Sequence, residues 1–156
     1  RYLLSVGRAD DVMALTRDAA TLPVGGENVA PNALFGAALA SRGDLRGGQA
    51  RLDQVLAFDS VSTDALRGRA LLRSRQGDHK GAVEDAQKLV ALSRSSAEAR
   101  ILMSRIHLAA GKRDEARRAL WDGFLEIPAD RVMYEALRSF VLNTEGAAAA
   151  QRITQE

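Results

Sequence analysis

The chain has 156 residues, 46% of them apolar and 27% charged, a composition that supports one folded domain and excludes a disordered tail. It holds no cysteine, which excludes disulfide frameworks, thiolate nucleophiles and cysteine-ligated metals, and no apolar run of about eighteen residues that would cross a membrane. The formal charge of +2 is close to balance and gives no strong pull toward nucleic acid.

In chain order, "RYLLSVG" opens at Arg1 without methionine or a signal-like charge pattern and reads as the tail of a helix already under way, as in a piece of a longer protein. "GRADDVMALTRDAATLP" follows as a second helix, with Val12, Leu15, Ala19 and Leu22 spaced three and four apart, Asp10 and Asp11 as first-turn acids, and Pro23 closing it. "VGGENVA" is a loop. Beyond it, "SRGDLRGGQARLDQVLAFD", "SRQGDHKGAVEDAQKLVALS" and "LAAGKRDEARRALWDGFLEIP" each break a helical pattern at a glycine, and Gly43, Gly77 and Gly111 stand 34 residues apart. Such a glycine ends one helix in a left-handed turn. Asp44 and Asp78 then cap the next helix, and "SSAE" sets Ser95 and Glu98 at capping-box spacing. Gly48, Ala82 and Ala116 recur five residues after the turn, where anything larger than a methyl would push the two helices of a hairpin apart.

A period of 34 residues is that of the helix-turn-helix tetratricopeptide unit, and the chain resembles the tetratricopeptide repeat family. Phe35, Gly36, Leu39, Gly48 and Leu52 occupy signature positions of a first unit; Leu66, Ala70, Ala82 and Ala86 those of a second; Met103, Ser104, Ala116, Leu120 and Pro128 those of a third; Tyr134, Leu137, Val141 and Ala150 those of a fourth. Departures are Asn32 and Arg100 at the tryptophan site, His107 at the tyrosine site, Arg69 and Arg73 at apolar sites, and a turn glycine, Gly146, one residue late. The resemblance implies an all-α fold, an α-solenoid of stacked antiparallel helix hairpins in a right-handed superhelix. The division expected is a partial repeat and loop at 1–28, full repeats at 29–62, 63–96 and 97–130, and a truncated repeat at 131–156 of one solenoid domain. Single hairpins cannot bury their own apolar faces, so each stacks on the next.

No constellation carries chemistry. Gly47-Gly48 lacks the lysine, the serine or threonine and the preceding strand of a phosphate loop, and reads as helix packing. His79 and His107 lie in different units without a partner at i+4, so the first is a surface turn residue and the second an interhelical filler, and no metal or other cofactor is expected. No nucleophile, base and orienting residue converge, so the chain is not read as an enzyme. Trp121 lies on a second helix as packing or a contact hot spot. The stripe Arg67, Arg69, Arg73, Arg75 and the cluster Arg113, Arg117, Arg118 open a nucleic-acid reading, but aromatics are only 4% and Asp64, Glu84, Asp85, Glu98, Asp114 and Glu115 are interspersed, which favours a mixed solvated face. Arg69 and Arg73 share a helix face and are predicted to snorkel or to pair with an acid.

The resemblance implies that first helices line a concave wall. It places there Leu34, Ala37 and Ser41, then Asp64, Arg67, Leu71 and Arg75, then Ile101, Leu102, Arg105 and Leu108, then Glu135 and Ser139. The lysines and asparagines with which relatives clamp a chaperone C-terminus are missing from the first three units. The expected function is a noncatalytic protein interaction scaffold taking a peptide or partner helix on Leu34, Ala37, Arg67, Leu71, Arg75, Ile101, Arg105 and Leu108. An alternative is an assembly factor or lipoprotein domain of a bacterial pilus, secretion or envelope machine. Lysine occurs only at Lys80, Lys88 and Lys112; with the abundant alanine this points to a GC-rich bacterial genome and leaves the compartment, cytoplasmic or periplasmic, open. Uncapped solenoid ends make self-association a further expectation.

Overall fold

A computed structural model describes residues 7–153. The opening stretch read as a helix tail, residues 1–6, lies outside the described residues. The described elements, with no strand among them, are α1 (Ala9–Thr21), a 3-10 turn (Gly26–Asn28), α2 (Val29–Ser41), α3 (Leu45–Phe58), α4 (Thr63–Arg75), α5 (His79–Leu92), α6 (Ala97–Ala109), α7 (Arg113–Glu126), α8 (Arg131–Glu145) and α9 (Ala147–Arg152). They form two compact units, Arg1–Leu92 and Ser93–Glu156.

The local chemistry of the hairpins follows the sequence. Gly43, Gly77 and Gly111 have φ of 96°, 83° and 74°, where a Cβ is strained, and each ends a first helix. Asp44 and Asp78 then accept the backbone N–H of Gly47 and Gly81, each at 2.9 Å, closing orphan donors of α3 and α5. The cap of α6 is displaced by one residue from the expected Ser95: Ser96 accepts the N–H of Ala99 at 3.3 Å. Asp130 does the same for α8 with the N–H of Met133 at 2.8 Å.

In unit 1, α2 packs on α1, α3 and α4, and α4 packs on α3 and α5, so the first helices α2 and α4 lie side by side. The core is Ala33, Ala40, Leu52, Val55, Leu56, Ala65, Leu66 and Leu72. α1 buries Ala9, Val12, Thr16 and Ala20 rather than the expected Val12, Leu15, Ala19 and Leu22; Leu15 is 77% exposed. Thr16 tolerates burial because its hydroxyl donates to the Val12 carbonyl at 2.7 Å, which lets a narrow alanine face turn inward against Ala38. The connection to α2 is tied down by Asn28, whose Oδ1 accepts the Gly25 N–H at 2.8 Å and whose Nδ2 donates to the Pro23 carbonyl at 2.9 Å.

In unit 2, α7 packs on α6 and α8, and α8 packs on α6 and α9. Met133, Leu137, Phe140 and Val141 of α8 meet Ala97, Ala116 and Leu120, with Ala150 and Ile153 closing the far side. Trp121, Phe124 and Tyr134 make tilted ring contacts at 6.0 and 6.4 Å between centroids along the same cluster.

Candidate binding faces

The arginine stripe of α4 splits by helix face. Arg69 and Arg73 turn inward and are paired. The Arg69 guanidinium donates from Nε and Nη2 to the two carboxylate oxygens of Asp85 at 2.9 and 2.7 Å, and from Nη1 to Asp53 at 2.8 Å. Arg73 Nη1 donates to Asp85 at 2.9 Å and to the Gly81 carbonyl at 3.3 Å. The Asp85 side chain is 1% exposed. Two-point pairing of this kind is the geometry in which a buried carboxylate and guanidinium satisfy each other. The Asp85 hydrogen bond is the largest influence on Arg69 and, with Asp53, raises its pKa against burial. Burial pushes Asp53 up, but hydrogen bonds from Gln49 and Arg69 and the charges of Arg69 and Arg73 hold it below the usual carboxylate range.

Asn32 and Arg100, at the tryptophan site, also find polar partners. Asn32, fully buried, donates to the carbonyls of Asn28 and Ala19 at 2.9 and 3.2 Å and accepts from Arg51 at 3.0 Å, while Arg51 reaches the Ala20 carbonyl at 2.8 Å. The end of α1 is thereby fastened to the α2–α3 hairpin through the carbonyls of its last turn. Arg100 of α6 pairs with Glu126 of α7. Asp53, Asp85, Arg51 and Glu126 were the partners sequence reasoning did not assign. Their only trace is a polar residue opposite Asn32, Arg69, Arg73 and Arg100.

The expected groove residues fall into two sets. In unit 1, Leu34 is half-buried against Ala9, Val12 and Ala38, and Ala37 is half-buried beside Gly68, where a β-carbon would stand 3.3 Å from that of Ala37. Arg67 is half-buried; Leu71 is 42% exposed; Arg75 is exposed and reaches the Ala40 carbonyl of α2 at 3.4 Å. The i, i+4, i+8 spacing of Arg67, Leu71 and Arg75 places them on one face of α4. In unit 2, Ile101 packs against the α8 cluster, Arg105 is exposed, and Leu108 is 43% exposed. Among the described residues no cluster of three or more histidine and acidic side chains is placed to hold a metal ion, and no helix is long and apolar enough to cross a membrane.

Comparison with known proteins bears on this arrangement. Residues 74–139 match the family described as tetratricopeptide repeat. No curated protein matches the sequence. Among solved structures, MamA from Desulfovibrio magneticus RS-1 superimposes with a TM-score of 0.68 at 16% identity, over 99% of this chain and 86% of that one. A tetratricopeptide repeat protein from Parabacteroides merdae gives 0.70 at 17% identity, over 98% of this chain and 59% of that one. The first tetratricopeptide domain of Spaghetti (RPAP3), solved bound to an HSP90 peptide, gives 0.62 at 18% identity over 80% of this chain and 98% of that one. The fold is therefore that of a tetratricopeptide α-solenoid.

Proposed function

We propose that this chain, which has the tetratricopeptide repeat fold, is a noncatalytic scaffold that binds a peptide or partner helix along its first helices, with repeat boundaries at 29, 63, 97 and 131. The observation that carries the reading is the division of the arginines of α4. Arg69 and Arg73 pair with acids inside the hairpin, while on the opposite face Leu71 lies exposed one turn before the exposed Arg75. An exposed leucine beside an exposed guanidinium suits an apolar anchor next to an acidic group. Leu108 and Arg105 give α6 the same pairing of an exposed leucine and an exposed arginine. That a domain of the same fold is solved with a bound peptide supports this use of the fold.

The test is affinity capture with the purified chain beside Leu71→Glu and Arg105→Glu variants, each checked for native helix content. Loss of captured protein in either variant supports the face; recovery of the same proteins by all three rejects it.

A further inference from the structure

We infer that the polar side chains at the helix contacts of unit 1 form a pairing code that fixes which hairpin stacks on which. The hairpins are alike in length. α2, α4 and α6 each have 13 residues and α3, α5 and α7 each have 14. What differs is chemistry at equivalent places.

In the hairpins α2–α3 and α4–α5 the seventh residues of the first and second helices meet. In α2 and α3 these are Phe35 and Arg51, with the guanidinium 6.0 Å from the ring centroid. In α4 and α5 they are Arg69 and Asp85, joined as a bidentate ion pair. In α6 and α7 the sequence places Met103 and Ala119 there. Cation on aromatic and ion pair are two answers at one structural position, and the sequence of the third hairpin carries neither there.

The same holds between hairpins. Arg69 of α4 reaches back to Asp53, the ninth residue of α3. The ninth residues of the other second helices are Arg17 in α1, Gln87 in α5 and Trp121 in α7. A hairpin 63–92 that docked on any of these, in its own chain or in another copy during folding, would bring Arg69 to a like charge, an amide or an indole. Its side chain is 15% exposed and that of Asp53 47%; Asp85 travels with the hairpin, so a wrong neighbour removes one of the two carboxylates of Arg69. Only α3 carries the acid. Repeat proteins misassemble by stacking like units out of order, and buried polar groups are a recognised means of excluding such alternatives.

The absence of cysteine makes the order measurable. In an Ala37→Cys, Gly68→Cys chain the two β-carbons lie close to the ~3.5–4.5 Å needed for a disulfide, so that bond reports correct docking of α4 on α2. The chain is unfolded, refolded over a range of protein concentrations, oxidised, and assayed for intrachain disulfide and, by sedimentation, for oligomers. The reporter chain is expected to return monomer with the intrachain bond throughout. Adding Arg69→Leu, Arg73→Leu and Asp85→Leu is expected to keep a cooperative helical fold yet lose the bond several-fold and form oligomers as concentration rises. Asp53→Arg alone, which leaves the Arg69–Asp85 pair intact, is expected to keep helix content and lower the intrachain bond several-fold. Native yield of monomer and disulfide in either background overturns the code; if the triple variant does not fold, Asp53→Arg decides alone.

Discussion

Gly48 of α3 lies against the carbonyl oxygen of Gly36 of α2: a β-carbon on Gly48 would stand 2.8 Å from that oxygen and 2.9 Å from the methyl of Ala40. The corresponding residues of the next two hairpins are Ala82 and Ala116, both fully buried. The first hairpin is thus closer than the sequence pattern implied, since not even a methyl fits. Gly48→Ala is expected to cost about 1–3 kcal/mol by overpacking, although alanine is the better helix former. Denaturant unfolding of the variant checks this; a stabilised variant would show that the backbones separate freely.

Asp85 holds two guanidinium groups with almost no access to water. Asp85→Ala leaves Arg69 and Arg73 half-buried without their main partner and is expected to lower stability by about 3–5 kcal/mol. Replacing all three by leucine removes both the charges and their desolvation and is expected to be neutral or stabilising. Urea midpoints of the single and triple variants distinguish the two outcomes.

Asp53 belongs to the same network, and its depressed pKa fixes a sign. Its stabilising contribution is fully present above the ordinary aspartate value of about 3.9 and is lost as pH falls through the lower folded value. Asp53→Asn is therefore expected to be less stable than the parent at pH 7, with the difference shrinking under strong acid. Thermal melts of both between pH 7 and pH 2 read it out.

His107 occupies the site where the signature takes a tyrosine, with Nδ1 buried and without a hydrogen-bond partner. Burial holds its pKa below the ordinary ~6.5, with Glu115 pulling it up and Lys112 pushing it down. Above that ordinary value both folded and unfolded chains carry it neutral. As pH falls below it, the unfolded chain takes up the proton first, so stability drops toward the lower folded pKa. His107→Phe is expected to flatten this part of the stability profile between pH 7.5 and 5.

Asp78 caps α5 through the Gly81 N–H and lies 3.7 Å from Arg73 Nε. Asp78→Ala is expected to cost about 1 kcal/mol, the usual loss of an N-cap, and to raise amide exchange in the first turn of α5. Unchanged exchange at Gly81 would show that the cap does not hold the turn.

Much of the fold was legible because its signals are local. A glycine that must take positive φ and a small residue five residues on repeat at a fixed step, with a capping acid after Gly43 and Gly77, and each acts through its own few neighbours in the chain. The inward turn of α1 was less legible, because Thr16 reads as polar until its hydroxyl is seen to be satisfied by the Val12 carbonyl. Helical periodicity alone preferred Leu15, which is exposed.

By itself the sequence determined the period, the turn positions and the all-helical hairpins, since these depend on backbone strain and on spacing along one strand of chain. Tertiary structure alone decided which charges are inside. Arg67 and Arg69 are two residues apart in sequence, yet only Arg69 meets Asp53 and Asp85, because side chains two apart on a helix point to different faces. Where each face lies is set by how three helices pack, and a carboxylate sixteen residues away becomes a partner only once they have.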